Sequence, residues 1–164
     1  MNLLDFEKHG VTYTWKTIYV GIENNFFDLN VVSGYAVKLL EEGKNDSINV
    51  DLAWNINKNK FKETVEKIKY NLYPDLLATD LDYLYEMRKF RYIYLSKLRK
   101  NISDEKELMY KIEEYYSWNN YPEDMESLIY YMPIDVKQNY LIKGDTIPEK
   151  LDNFLDKERI ELVI

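Results

Sequence analysis

Apolar residues recur at helical spacing along most of this chain, and one stretch carries them around nearly its whole circumference. From Thr79 to Lys100, at 100° per residue, Leu81, Leu84, Tyr85, Met87, Phe90, Tyr92, Tyr94, Leu95 and Leu98 fill a wide arc. Asp82, Glu86, Lys89, Lys97 and Lys100 share the narrow remaining strip with Ile93. An ordinary surface helix buries a single stripe, so an arc this wide predicts a central helix with neighbours on several sides. Arg88 and Arg91 fall inside the arc, where each guanidinium must reach water or meet a carboxylate.

The remaining segments supply those neighbours. Met1 to Tyr13 is weakly patterned. Thr14 can cap a short helix carrying Trp15, Ile18, Tyr19 and Ile22, with Gly21 and Asn24-Asn25 weakening its end. Asp28 caps the next, with Leu29, Val32, Tyr35, Ala36, Leu39 and Leu40 on one face, and Gly43 stands where a left-handed residue would stop it. Residues 46–55 read two ways: Ile48, Val50, Leu52 and Trp54 alternate like a strand, yet Ile48, Leu52 and Ala53 fit a helix. A lone strand would leave backbone groups unpaired, so helix is preferred.

Lys58 to Leu72 is amphipathic, with Phe61, Val65, Ile68 and Leu72 inward and a Glu63–Lys67 pair outward. Its lysines are interrupted by Glu63 and Glu66, which reads as a solvated face rather than a phosphate-binding stripe. After the central helix, Ser103 caps a helix whose inner face is Leu108, Met109, Ile112, Tyr115 and Tyr116, broken by Asn119-Asn120. Pro122 opens another, with Met125, Leu128, Ile129 and Met132 buried. Residues 134–145 show no firm periodicity. Pro148 opens a last short helix with Leu151, Phe154 and Leu155 inward, and Arg159 to Ile164 is either a docked tail or a short strand. The expectation is an all-α fold of about six to eight helices packed around residues 79–100, as a single domain over residues 1–164.

Composition narrows the function classes. The 164 residues are 46% hydrophobic and include sixteen tyrosines but no cysteine, which excludes disulfides, thiolate nucleophiles and thiolate zinc sites and suits a reducing cytoplasm. The start lacks a basic region followed by an apolar run, and no apolar stretch is long enough to span a membrane. A net charge of −7 and a pI near 4.9 disfavour nucleic-acid partners. The charge is unevenly spread. Thr79 to Lys100 holds six basic and three acidic residues, whereas Asn101 to Met132 holds two basic and eight acidic. Either these segments neutralise each other, or the acidic one faces a partner.

Catalytic signatures are missing. The five glycines are scattered, and the only histidine, His9, has no obvious nucleophile beside it, which gives it a solvated or capping role. Glu113 with Glu114, or Glu123 with Asp124 and Glu126, could serve a hard metal or acid/base chemistry, but neighbouring acids on a helix project in different directions and are usually solvated. No cofactor is expected.

Tyr92-Ile93-Tyr94-Leu95, the helix Glu105 to Tyr116, and above all Asn120-Tyr121-Pro122-Glu123-Asp124-Met125-Glu126-Ser127-Leu128-Ile129-Tyr130-Tyr131-Met132-Pro133 resemble a family of uncharacterised small bacterial cytoplasmic proteins. The likeness extends to Trp15-Lys16-Thr17-Ile18-Tyr19. Some members are candidate immunity proteins of polymorphic or contact-dependent toxin systems, and the resemblance implies a non-catalytic inhibitor of a cognate toxin. Toxic nucleases carry basic clefts, which an acidic domain can occupy with favourable steering. The expected contact residues are Glu113, Glu114, Trp118, Glu123, Asp124 and Glu126, with Tyr110, Tyr130 and Tyr131 as further aromatic anchors. A small hydrolase or metal-dependent enzyme using these carboxylates, and a helical scaffold or regulatory subunit, are the alternatives.

Overall fold

A computed structural model describes residues 1–54, 61–129 and 146–163. In chain order its elements are α1 (Leu3–Lys8), α2 (Trp15–Glu23), α3 (Leu29–Glu41), α4 (Ser47–Trp54), α5 (Phe61–Leu72), α6 (Leu81–Asn101), α7 (Glu105–Trp118), a 3₁₀ helix (Glu123–Leu128) and α8 (Ile147–Leu162). The fold is all-α, with no strand among the described residues and with α6 as the long central helix. The expectations for Lys58 to Lys60, for Tyr130 to Pro133 and for residues 134–145 fall outside the described residues. The chain forms two compact units, Met1–Phe90 and Arg91–Val163, and the division falls inside α6.

In the first unit α2 is the most enclosed helix, with seven of its nine residues buried. Thr14 caps it as expected: its hydroxyl accepts from the Lys16 amide, and the Thr17 hydroxyl accepts from the Thr14 amide. The helix runs through Gly21 to Glu23, and Gly21 has a packing role that its propensity does not reveal. A methyl group there would lie 2.4 Å from Phe27 and 2.7 Å from Phe90, so the missing side chain admits two aromatic rings. Phe90 is fully buried and collects Phe6 at 5.1 Å, Phe27 at 5.0 Å and Phe26 at 4.8 Å between ring centroids. Phe6 belongs to α1, a six-residue helix held by an Asn2–Asp5 capping box and too short for its periodicity to register in the sequence.

Asp28 caps α3 by accepting from the Asn30 amide, and Gly43 ends it at φ 82°, with the Lys44 amide returning to the Leu39 carbonyl. The segment read two ways is helix α4. Leu52 is buried and Val50 and Trp54 are exposed, so half of the apparent alternation faces water. Buried Asn49 accepts from the Trp15 indole and donates to the Lys44 carbonyl, fixing α4 to its surroundings. In α5 the inner face is Thr64 and Ile68, while Phe61 is exposed and Lys67 binds Asp51.

The first half of α6 reverses the sequence reading. Leu81 is 84% exposed and Leu84 and Tyr85 are also exposed, whereas Glu86 and Lys89, expected on the solvated strip, are 5% and 3% exposed. The cause is polar matching with α2. Lys16 pairs with Asp82, and the Thr17 hydroxyl donates to Glu86 Oε2 at 2.7 Å, while Lys89 Nζ closes on Glu86 at 3.0 Å. A buried ion pair satisfied in this way can occupy a position that hydrophobic periodicity assigns to water.

The second unit has its own core. Leu95, Leu108, Ile112, Tyr115, Tyr116, Met125, Leu128, Ile129, Ile147, Leu151 and Phe154 form one buried cluster, drawn from the rest of α6, α7, the 3₁₀ helix and α8. Helix α8 continues through Leu162, which corrects the reading of Arg159 to Ile164 as a tail or strand for its described part up to Leu162. The buried stripe is Ile147, Leu151, Phe154, Glu158 and Leu162. An acid in that stripe hid the period.

Replacing Gly21 with Ala is expected to lower stability by about 1–3 kcal/mol in chemical denaturation, because overpacking against two rings outweighs the better helix propensity. Truncating Glu86 to Ala strands the Lys89 ammonium and is expected to cost about 3–5 kcal/mol, while replacing both residues with Met costs far less. A pH effect follows from Tyr83, whose hydroxyl donates to Glu23 Oε2 and accepts from Asn24. Burial, with the Glu23 carboxylate adding to it and Asn24 opposing, pushes this phenol up to about 12. The unfolded phenol ionises first, so stability is whole below about pH 10 and falls as pH rises towards 12; Tyr83→Phe should flatten that part of the stability profile.

Candidate partner-binding surface

The acidic segment folds as α7 and the 3₁₀ helix. Asp104, rather than Ser103, caps α7, its carboxylate accepting from the Glu107 amide at 2.8 Å, and Glu105 and Glu107 sit in the first turn against the positive end of the helix dipole. Leu108, Ile112, Tyr115 and Tyr116 turn inward as expected. Burial pushes the Tyr115 phenol well up, with the Arg91 charge opposing it and Tyr94 and Asp124 adding to it.

The helix ends in a Schellman turn. The Tyr121 amide returns to the Tyr116 carbonyl at 3.0 Å, and the Tyr121 ring packs edge-on against Tyr116 at 5.3 Å. Asn120 and Tyr121 both have left-handed backbones, at φ 58° and 56°. A tyrosine is rare in that region, and here its ring contact holds it there while the residue stays exposed. Pro122 then caps the 3₁₀ helix, which buries Met125 and Leu128, with Ile129 buried just beyond it. Met132 of the predicted stripe is outside the described residues.

The six predicted contact residues separate into two groups. Asp124 serves the fold: it receives both terminal nitrogens of Arg91, Nη1 at 2.7 Å, while Glu158 lies 3.7 Å from the same guanidinium and the Phe154 ring lies beneath it. Arg91 is 6% exposed, so two carboxylates and a ring answer the requirement set by its place in the apolar arc. Its Nε is buried without a hydrogen-bond partner among the described residues. The other five stay on the outside. Glu114 is half-buried and pairs with Lys111 at 2.7 Å. Glu113, Glu123 and Glu126 meet no cation among the described residues, Glu123 being exposed and the other two half-buried. Trp118 is 71% exposed, and Tyr110, eight residues before it, and Tyr121, three residues after it, are also exposed.

Along α7 these positions form one outward row. Glu107, Tyr110, Glu114 and Trp118 follow at intervals of three, four and four residues, which places them on a single helical face. Sequence reasoning found the acids and Trp118 but missed the structural duty of Asp124, because its partners Arg91 and Glu158 are far away along the chain. The signal was an acid four residues beyond Phe154 in an otherwise apolar stripe. Among the described residues no group of three or more histidines, cysteines or acids could hold a metal ion, and no helix is long and apolar enough to cross a membrane.

An all-α chain with an acidic, aromatic-bearing outer helix is thus the class that the fold defines. Residues 3–159 match the family described as "Uncharacterized protein conserved in bacteria (DUF2247)", and the chain belongs to that family. No curated protein and no solved structure matches it.

Removing the Asp124 carboxylate should act on folding. Asp124→Ala is expected to lower stability by about 1–3 kcal/mol in urea, since Arg91 is buried and keeps only Glu158, whereas Glu123→Ala should leave the midpoint nearly unchanged.

Proposed function

We propose that this protein is a non-catalytic immunity protein that binds a cognate bacterial toxin within the producing cell, through the outer face of α7 and the adjoining 3₁₀ helix. The observation that carries the reading is the exposed indole of Trp118 at the end of α7, in a segment whose acids Glu113, Glu123 and Glu126 meet no cation among the described residues. Large exposed aromatics ringed by charge are the groups that dominate protein interfaces when a partner buries them. The excess of acid on this segment favours a basic partner and speeds its encounter. The resemblance of residues 120–133 to a family of uncharacterised bacterial proteins, some of them candidate immunity proteins, is in keeping with the same reading.

The test is capture of the neighbouring gene's product by the full chain, followed by calorimetry across a salt series. Tight one-to-one binding is expected, weakening with salt, with a loss of ~10-fold or more for Trp118→Ala and again for Glu113, Glu123 and Glu126 changed together to Lys. Unaltered affinity in those variants, with loss instead on Leu81→Asp and Leu84→Asp, would move the contact to the exposed start of α6. Absence of any complex would end the immunity reading.

A further inference from the structure

The row on α7 alternates chemistry in a way that plain acidity does not require. Acid, aromatic, acid and aromatic follow one another as Glu107, Tyr110, Glu114 and Trp118, so Glu114 lies one turn from an exposed ring on either side, and the two rings are eight residues apart, about 12 Å along the axis. This face already attracts a cation from its own chain: Lys111 Nζ sits 2.7 Å from Glu114 Oε2, with both partners substantially solvated. A partly solvated pair of this kind contributes little, so giving up Lys111 costs little. The last turn of α7 contains no basic residue, so the negative end of its dipole, next to Trp118, lacks a cation of its own there.

We infer that this face takes an arginine of the partner, its guanidinium plane laid on the Trp118 indole and its nitrogens shared with the Glu114 carboxylate in exchange for Lys111. Two groups decide for arginine over lysine. The flat guanidinium stacks on an aromatic face while its edge donates two parallel hydrogen bonds to one carboxylate, whereas an ammonium is a compact, strongly hydrated charge that gains less from the ring. Tyr110 repeats the aromatic half of the arrangement on the other side of Glu114, giving a second arginine a place along the same row.

This inference rests on the docking face of the proposed function, and its test does not need the toxin. The full chain, ¹⁵N-labelled, is titrated with capped tetra-arginine and capped tetra-lysine peptides at equal ionic strength, following the tryptophan indole N–H signals, that of Trp118 being assigned by its loss in Trp118→Phe. The arginine peptide should bind about 5-fold more tightly and shift the Trp118 signal, as ~1 kcal/mol of stacking implies. Trp118→Ala should erase that preference while leaving lysine-peptide binding unchanged, and Glu114→Gln should weaken both. Equal binding of the two peptides, both shifting α7, overturns the arginine assignment and leaves the acidic face standing. Binding of either peptide elsewhere, with α7 signals unmoved, overturns both.

Discussion

The structure depends on how α6 buries charge. Glu86, Lys89 and Arg91 lie within six residues of one another on this helix, and each is less than a tenth exposed. An isolated ion in such a place costs several kcal/mol, so every one must be answered by an opposite charge or a hydrogen bond. Glu86 and Lys89 answer each other, with the Thr17 hydroxyl completing the carboxylate, and Arg91 is answered by Asp124 and Glu158. These requirements fix positions in elements remote in sequence. In the first unit they orient α2 against α6. In the second they bring together the 3₁₀ helix and α8, each of which contributes one carboxylate to the same guanidinium. Hydrophobic burial supplies most of the driving force, but apolar contacts tolerate rotation and slippage that a paired ion does not.

Much of the fold was legible because most helices carry a full local signal: caps at Thr14 and Asp28, the left-handed stop at Gly43, and inward residues at helical spacing in α3 and α7. What escaped had a common cause. Periodicity sorts residues by polarity, and it fails wherever a charge is buried with a distant partner. Glu86 and Lys89 were assigned to water for that reason, Leu81 and Leu84 to the interior as their mirror image, and the last turns of α8 were lost because Glu158 interrupts the stripe. Gly21 escaped differently. Its role is a close approach of Phe27 and Phe90, which no local pattern encodes.

The candidate surface was legible in the same partial way. Composition located the acidic segment, whereas the exposure of Trp118 came only from the structure. Which acids were already committed required the tertiary partner: Asp124 belongs to Arg91, a relation across thirty-three residues. Counting carboxylates along a segment therefore overstates the charge offered to a partner. The useful quantity is the charge left after internal pairs are formed, and among the described residues of this segment Glu113, Glu123 and Glu126 meet no cation.

Helix α7 also shows why exposure of an aromatic is more informative than exposure of an acid. A carboxylate at the surface is stable there, and nothing further needs to be explained. An indole buries on the order of 150–250 Å² when enclosed, so one left 71% exposed forgoes roughly 3–4 kcal/mol of stabilisation that a core position would have supplied. The same helix turns Leu108, Ile112, Tyr115 and Tyr116 fully inward, so apolar side chains are not in short supply on its outer side for want of an inner one. Trp118 closes α7 just before a Schellman turn that holds Tyr121 in an uncommon backbone conformation with its ring against Tyr116, which gives the exposed end of the helix a fixed shape. A rigid mount with unburied aromatic area and uncommitted charge loses little conformational entropy when a partner covers it, and that is the physical condition under which a small acidic face can bind tightly.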